Sequence, residues 1–206
     1  KHKMSTKGIS AERLLFRLSA SRFSGQFVLK GAMLFLAWGI AAPRPTKDLD
    51  LETLKILKES GLSMVIWGVE SASDRILQLI NKGTNKADIE KVLQDSHNCG
   101  IKNVTYILFG FPTETKEEFL ETIDFLKKND LVSTAVFGLQ KGTIIYNTPE
   151  KFGITKITQD ERTLLDPRIG YEVKAGLSQA DANKLSYKYR RTIEKINKYP
   201  KFMNFF

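Results

Sequence analysis

Two short segments of the sequence combine acidic, hydroxyl and glycine residues in a way that suits the binding of a small molecule. The first, GVES, ends in Glu70 and Ser71, and the second, ILFGFPTET, contains Gly110 and Glu114. A carboxylate accepts hydrogen bonds from hydroxyl and amino groups, and a glycine lets the backbone approach a planar ligand closely. Both segments begin with apolar residues typical of buried strands. The sequence therefore predicts a ligand site made of loops at strand ends.

The role of Glu114 has two interpretations at this point. Pro112 restricts the turn, and Thr115 is placed to begin the next helix. Glu114 can therefore accept a hydrogen bond from a ligand, or it can simply complement the positive end of the helix dipole. In the second interpretation Gly110 only turns the chain. Residue types and spacing do not decide between the two.

Helices and strands alternate through the middle of the chain. In the second predicted helix Ser73 is the N-cap and Gly83 the end, and in the fourth Thr115 and Glu118 form a capping-box pair. Helical spacing of apolar residues predicts four helices, in LETLKILKES, SDRILQLINKG, NKADIEKVLQDSHN and TKEEFLETIDFLKKN. Continuous apolar runs predict three strands, in MVIWGV, NVTYILFG and VSTAVFGL. This alternation predicts an α/β fold with a parallel sheet, whose strands carry ligand sites at their carboxyl ends.

Composition is that of an ordinary globular protein. The 206 residues are 42% hydrophobic and 27% charged, and no apolar run is long enough for a membrane span. The first residues, KHKMSTKG, lack a secretory apolar core, so we expect a cytoplasmic protein with no membrane partner. The single cysteine, Cys99, excludes an intrachain disulfide, and by itself it cannot hold an iron–sulfur cluster or a structural zinc ion.

The net charge of +9 is concentrated at the two ends of the sequence. Residues 1–50 carry +6 and residues 178–206 carry +5, whereas the middle sums to −2. Basic ends can bind phosphate-rich partners, but solvated lysine and arginine faces on helices are the simpler explanation. Nucleic acid is therefore a partner without specific support in the sequence. The C-terminal helix is expected to pack through Leu185, Tyr189 and Ile193.

From about residue 54 onward, the chain resembles the C-terminal half of a radical S-adenosylmethionine (SAM) core, of the group that often carries a cobalamin-binding domain. The resemblance rests on three segments in family order, LKESGLSMVIWGVESASDRILQLINKGT, NCGIKNVTYILFGFPTET and FGLQKGTIIYNTPEKFGI. It implies an incomplete parallel (β/α) barrel with SAM lying across the carboxyl ends of the strands.

The resemblance also implies which residues contact SAM. One acidic position would lie near the ribose or the amino-acid end, the second loop would lie by the adenine and ribose, and residues 140–146 would face substrate or close the core. The implied cofactor-binding residues are Glu70, Ser71, Ile107, Gly110, Phe111 and Glu114.

The family's cluster motif is the point at which this sequence departs from the pattern. Reductive cleavage of SAM needs a [4Fe–4S] cluster held by three thiolates, normally in a CxxxCxxC loop. That motif is absent from the 206 residues. The resemblance therefore implies a residual SAM half-site in a chain that does not generate the radical alone, and it leaves open whether the chain is an enzyme.

Residues 12–51 are similar to the start of nucleotidyltransferases of the AbiEii toxin type, on a KG turn followed by RPTKDLD. This similarity implies a short helix–strand–helix segment in which Lys30 and Gly31 contact a triphosphate. Asp48 and Asp50 would share a Mg²⁺ ion that neutralises phosphate charge. The alternative is a basic helix and an acidic turn with no catalytic role.

Together the two resemblances predict a fusion of truncated domains, joined without a linker. The predicted parts are a nucleotidyltransferase-like segment at 1–52, a partial radical SAM core at 53–150 and a C-terminal helical extension at 151–206. An incomplete sheet leaves an open edge, so we expect a partner chain or self-association to cover it. Three functions remain: a SAM half-site, a Mg²⁺-dependent nucleotidyltransferase, and a non-catalytic remnant or interaction module.

Overall fold

The computed structural model describes residues 51–59, 61–159 and 169–197. These residues belong to two compact units of the chain. The first contains residues 51–59, 61–68 and 86–105, and the second contains 69–85, 106–159 and 169–197.

Helices and strands alternate through the first two thirds of the described chain, as the sequence predicts. A short 3₁₀ helix at Pro149–Phe152 follows α5. In chain order the elements are α1 (Leu51–Glu59), β1 (Met64–Glu70), α2 (Asp74–Leu79), α3 (Lys86–Asn98), β2 (Lys102–Phe109), α4 (Lys116–Leu126), β3 (Leu131–Val136), α5 (Ile144–Asn147), β4 (Ile154–Gln159), β5 (Ile169–Val173) and α6 (Gln179–Ile196).

A parallel three-stranded sheet with the order β1-β2-β3 confirms the predicted α/β class. Among the described residues these three strands do not close into a barrel. Strands β1 and β2 each begin in the first unit and end in the second. Their carboxyl ends, and the loops that follow them, therefore all belong to the second unit.

A buried hydrogen-bond chain organises the first unit. The indole nitrogen of Trp67, a residue only 2% exposed, donates to Oδ1 of Asn103 at 2.8 Å. Asn103 in turn donates from Nδ2 to the carbonyl oxygen of Leu93 at 2.9 Å. Because a buried polar group costs stability unless it is paired, this chain fixes strand β1, strand β2 and helix α3 in one arrangement.

Two amide side chains anchor the long helix α6 within the second unit. At its first residue, Gln179 accepts a hydrogen bond from the backbone N–H of Tyr171 on β5 at 3.2 Å. At its C-cap, Asn197 accepts from the N–H of Val132 at 2.7 Å and donates to the carbonyl of the same residue at 2.8 Å. Strand β3 is one of the two edge strands of the described sheet, and Asn197 pairs both backbone polar groups of Val132 at this edge.

Within the predicted C-terminal helical extension, the described residues include a pair of antiparallel strands before the helix. Strands β4 and β5 pair antiparallel, with Ile157 opposite Tyr171. Both strands are rich in β-branched or aromatic residues, which favour a pleated surface, but their apolar pattern is too short to predict a strand with certainty. This pair of strands buries a small cluster of its own, containing Leu139, Ile154, Ile169 and Tyr171.

Helix α2 is also shorter than predicted, since it ends at Leu79 and not at Gly83. Asn81 adopts a left-handed φ of 54°, which is incompatible with continuing a right-handed helix. Among the helices that the structure describes, none combines the length and apolar character needed to cross a bilayer.

Candidate cofactor site

The loops that leave β1 and β2 both lead into capped helices. Ser73 is the N-cap of α2, and its hydroxyl accepts from the N–H of Ile76 at 3.3 Å. Thr115 is the N-cap of α4, where its hydroxyl accepts from the N–H of Glu118 while the Glu118 carboxylate accepts from the N–H of Thr115. The predicted N-cap and capping box are therefore confirmed, and each loop is held at its helix end by side-chain bonds.

A non-glycine residue adopts the left-handed backbone region at the carboxyl end of β1 and another does so in the loop after β2. Glu70, the last residue of β1, and Thr113, in the loop after β2, both have a φ of 70°. Such a conformation costs on the order of 1–3 kcal/mol and persists only where the surrounding structure imposes it. Strain of this kind is typical of ligand clamps and active sites, and here it occurs at the carboxyl end of β1 and in the loop after β2.

Arg75 imposes the conformation of the second loop. Its guanidinium donates from Nη2 to the carbonyl of Thr113 at 2.7 Å and from Nη1 to the Thr113 hydroxyl at 3.1 Å. The same group donates to both carboxylate oxygens of Glu118, from Nε at 2.8 Å and from Nη2 at 2.6 Å. Arg75 thus ties the start of α2 to the loop after β2 and to the first turn of α4.

Glu118 is the acidic centre of this network and stays ionised. Burial by itself would raise its pKa, but hydrogen bonds from Arg75, the Thr115 N–H and the Ser73 hydroxyl outweigh burial and lower the pKa to about 2. The sequence analysis identified Glu118 as a capping residue and missed Arg75. The available signal was an arginine in the first turn of a helix that follows a strand-end loop.

Glu114 lies in the interior, where it holds the backbone of Gly110. It is fully buried, and its Oε2 accepts from the Gly110 N–H at 2.5 Å. Its Oε1 is buried and has no hydrogen-bond partner among the residues that the structure describes. Burial raises the pKa of Glu114 to about 7, against the lowering effect of the Gly110 bond. Glu114 therefore retains its proton to a higher pH than an exposed glutamate does.

Gly110 is fixed from three directions. Besides the Glu114 bond to its N–H, its carbonyl accepts from the Tyr171 hydroxyl at 3.2 Å. Burial raises the pKa of Tyr171, so the phenol remains a donor. Gly110 has a φ of 71°, and an added Cβ would lie 2.6 Å from the Cβ of Ala182 on α6. The close approach that this glycine permits in the structure is thus to helix α6.

An accessible pair of opposite charges lies at the end of β1. The Nζ of Lys82 is 3.3 Å from Oε1 of Glu70, and the two side chains are 27% and 32% exposed. The neighbouring Ser71 is fully buried and accepts at its hydroxyl from the N–H of Ser73 at 3.1 Å. Lys82 was missed in the sequence analysis, because nothing in NKGT distinguishes it from a solvated lysine.

All six predicted cofactor residues lie at the carboxyl ends of β1 and β2 or in the loops that follow. Only Glu70 presents a partly exposed side chain. The others are buried, namely Ser71, Ile107, Gly110, Phe111 and Glu114. Phe111 packs against the rings of Phe137 and Phe152, with centroids 5.1 and 6.2 Å away. Direct contact between the buried side chains and SAM stays a prediction.

The predicted nucleotide and Mg²⁺ residues, Lys30, Gly31, Asp48 and Asp50, lie outside the described residues. Within the described ranges there is no group of three or more His, Cys, Asp or Glu side chains that could hold a metal ion. A [4Fe–4S] cluster needs three thiolates, and the whole sequence contains only Cys99. The residues present therefore do not fit the cluster, whereas the strained loops and the Glu70–Lys82 pair fit a polar cofactor.

Comparison with known proteins identifies similarity over more than half of the chain. Residues 11–126 match the Radical SAM superfamily. This span includes residues 12–51, for which the sequence analysis proposed a resemblance to nucleotidyltransferases. The comparisons support neither that resemblance nor a fusion of two domains.

Two curated relatives are enzymes of methylthiolation by name. The ribosomal protein uS12 methylthiotransferase RimO of Caldicellulosiruptor saccharolyticus is 28% identical over 155 residues, covering 72% of this chain and 34% of the relative. The tRNA-2-methylthio-N(6)-dimethylallyladenosine synthase of Clostridium tetani is 28% identical over 162 residues, covering 68% of this chain and 35% of the relative. The chain thus spans about a third of the length of these relatives.

A solved structure shares the fold. Coproporphyrinogen III oxidase (HemN) of Escherichia coli, described as a Radical SAM enzyme, aligns with a TM-score of 0.53 at 15% identity. The alignment covers 73% of this chain and 31% of that chain. At this identity the likeness concerns the fold alone, and it agrees with the predicted α/β arrangement.

Proposed function

The chain belongs to the Radical SAM superfamily, and we propose that the loops after β1 and β2 form part of a SAM site. SAM, when bound beside a reduced cluster, is the source of the radical in this superfamily. What this chain offers is a place for the polar parts of that molecule. The observation that carries the proposal is Glu70, a partly exposed carboxylate in a strained conformation at the carboxyl end of a parallel strand.

Glu70 and Lys82 suit the amino-acid end of SAM or its ribose hydroxyls. A carboxylate accepts from an ammonium or a hydroxyl group, and an ammonium attracts a carboxylate. A partly exposed ion pair of this kind contributes at most about 1 kcal/mol. Breaking this ion pair therefore costs little free energy. Glu70 can then bind an ammonium or hydroxyl group of a ligand, and Lys82 can bind its carboxylate.

The loop after β2 provides a backbone surface of fixed shape for the ligand, and not side-chain hydrogen-bond donors. Glu114, Tyr171 and Ala182 fix the backbone of Gly110, and the rings around Phe111 fix the next residue. We infer that Glu114 is a positioning residue, which acts on the cofactor through the loop. A preorganised wall of this kind reduces the ordering cost of binding.

Because the cysteines for a cluster are absent from these 206 residues, no radical step is assigned to them. We propose that the chain alone binds SAM without cleaving it. Iron analysis after anaerobic reconstitution should then find essentially no iron, and a stoichiometric [4Fe–4S] cluster would contradict this part of the proposal.

Titration calorimetry with SAM and S-adenosylhomocysteine tests the site. Glu70→Gln and Lys82→Met should each weaken SAM binding about tenfold or more, because a hydrogen bond to a charged group contributes about 1.5–3 kcal/mol. Glu52→Gln, on the exposed first turn of α1, is the matched control and should bind as the wild type does. Unchanged affinity in Glu70→Gln, or no SAM binding by a cooperatively folded chain, would refute the site.

The finer predictions keep their own tests. Methylthio transfer is the reaction class that the relatives' names support, and the cobalamin subgroup, the fusion and the cytoplasmic location stay predictions. Light scattering measures whether the SAM-binding chain self-associates. Self-association would support the prediction that a second chain covers the open edge of the sheet. Calorimetry with ATP and Mg²⁺, on the wild type and on Asp48→Ala and Asp50→Ala, tests the nucleotidyltransferase alternative.

A further inference from the structure

The exposed side of helix α6 carries a continuous stripe of positive charge. Lys184, Lys188, Arg191 and Lys195 follow the spacing i, i+4, i+7 and i+11, which places them along one side of the helix over about 16 Å. All four are exposed. Asp181 lies 3.9 Å from Lys184, and the other three make no ion pair with a described residue. Like charges at this spacing destabilise a helix, so helix stability does not explain the stripe.

A groove with both polar and apolar lining runs beside the stripe, between α6 and the edge strand β3. Its volume is about 890 Å³, within the range of small-molecule sites. Glu194 also lines the groove, where its carboxylate pairs with Arg190 at 3.0 Å. The strand contributes hydroxyl groups, and the helix contributes hydroxyl, amide, aromatic and guanidinium groups. The lining residues that bear these groups are Ser133, Thr134, Asn183, Ser186, Tyr187 and Arg190. Tyr187 is 78% exposed although it is a large aromatic side chain.

The charges and the aromatic ring select one kind of occupant. A row of cations matches a chain of phosphates, and an exposed aromatic ring next to that row offers a base a surface on which to stack. Hydroxyl and amide side chains can bond ribose 2′-hydroxyl groups, which distinguish RNA from DNA. A membrane surface fits poorly, because the apolar residues of α6, such as Ala182 and Ile193, are buried and do not face outward.

We propose that α6 and β3 bind single-stranded RNA. The phosphates lie along the stripe from Lys184 to Lys195, and one base stacks on Tyr187 with its ribose in the groove. This site is separate from the loops after β1 and β2 and does not depend on SAM binding. The sequence analysis found no specific support for a nucleic-acid partner, because only the structure shows that Tyr187 is exposed and borders the groove.

Fluorescence anisotropy with a labelled single-stranded RNA of about 12 nucleotides, within the usual range of site sizes, tests the proposal. Four neutralised phosphates predict a slope of about −2.8 in log K against log salt concentration. Lys188→Glu combined with Arg191→Glu should weaken binding at least tenfold and reduce that slope by about half. Lys55→Glu combined with Lys141→Glu changes the net charge equally at exposed positions that are not part of the stripe and should have little effect.

The aromatic contact has its own pair of variants. Tyr187→Ala should weaken binding on the order of tenfold, whereas Tyr187→Phe keeps the ring and should bind as the wild type does. The proposal would be overturned if the stripe and control variants weakened binding equally, or if Tyr187→Ala had no effect. It would also be overturned if DNA of the same sequence, or an acidic peptide, bound with the same affinity as the RNA. Circular dichroism confirms folding, and SAM titration of the same variants shows separately whether the cofactor site is intact.

Discussion

Replacing Gly110 by alanine tests the packing that holds the second loop. The residue has a φ of 71°, where a side chain costs about 1–2 kcal/mol. The added methyl group would also lie 2.6 Å from the Cβ of Ala182 and 3.5 Å from a methyl of Val136. Overpacking of this kind costs about 1–3 kcal/mol. Gly110→Ala should therefore lower the free energy of unfolding by about 2–5 kcal/mol.

Urea unfolding followed by far-ultraviolet circular dichroism measures this change as a lower midpoint at constant slope. Gly61→Ala is the matched control, because Gly61 has a φ of 96° but no described atom within 4 Å of the added Cβ. It should lose only the backbone contribution, about 1–2 kcal/mol. The difference between the two variants isolates the clash with α6.

A second substitution should relieve that clash. In the double variant Gly110→Ala with Ala182→Gly, the Cβ that blocks the new methyl group is gone. We expect an interaction free energy of about 1–3 kcal/mol in favour of the double variant, relative to the sum of the single changes. The reasoning fails if Gly110→Ala costs no more than Gly61→Ala, or if Ala182→Gly recovers nothing.

Two further predictions concern the carboxylates of the same loop. Folding raises the pKa of Glu114 from 4.5 to about 7. Its contribution to the free energy of unfolding is therefore complete below pH 4.5 and is lost as pH rises through about 7, a change of about 3 kcal/mol. Glu114→Gln should abolish this fall in stability, which urea midpoints at pH 4.5 and above pH 7 would measure. Arg75→Lys should cost about 1–3 kcal/mol in the same urea assay, because lysine cannot reproduce the forked bonds to Glu118 and Thr113.

Each of these predictions has an outcome that excludes it. A wild type whose stability is flat from pH 4.5 to 7 would mean that folding does not raise the pKa of Glu114. Loss of stability below pH 4.5 reports Glu118 instead, whose pKa is lowered to about 2. For Arg75, the control is Arg190→Lys, which alters an exposed pair with Glu194 and should change stability little. Equal effects of the two arginine substitutions would show that the fork contributes nothing specific.

The sequence alone determined the features that depend on neighbouring residues. The alternation of helices and strands, the N-caps Ser73 and Thr115, and the capping box completed by Glu118 all follow from residues within four positions of each other. The placement of Glu70 and Gly110 at the carboxyl ends of adjacent strands also follows, because parallel strands joined by helices all end at the same edge of a sheet.

Only the tertiary structure decided what these residues do. The sequence left Glu114 between a ligand contact and a helix-end role, and the structure shows it buried against the Gly110 N–H. Arg75 reaches Glu118, 43 positions away in sequence, and Ala182 closes on Gly110 from a helix near the end of the chain. No local pattern encodes such partners, because burial and long-range hydrogen bonds arise when distant segments pack together.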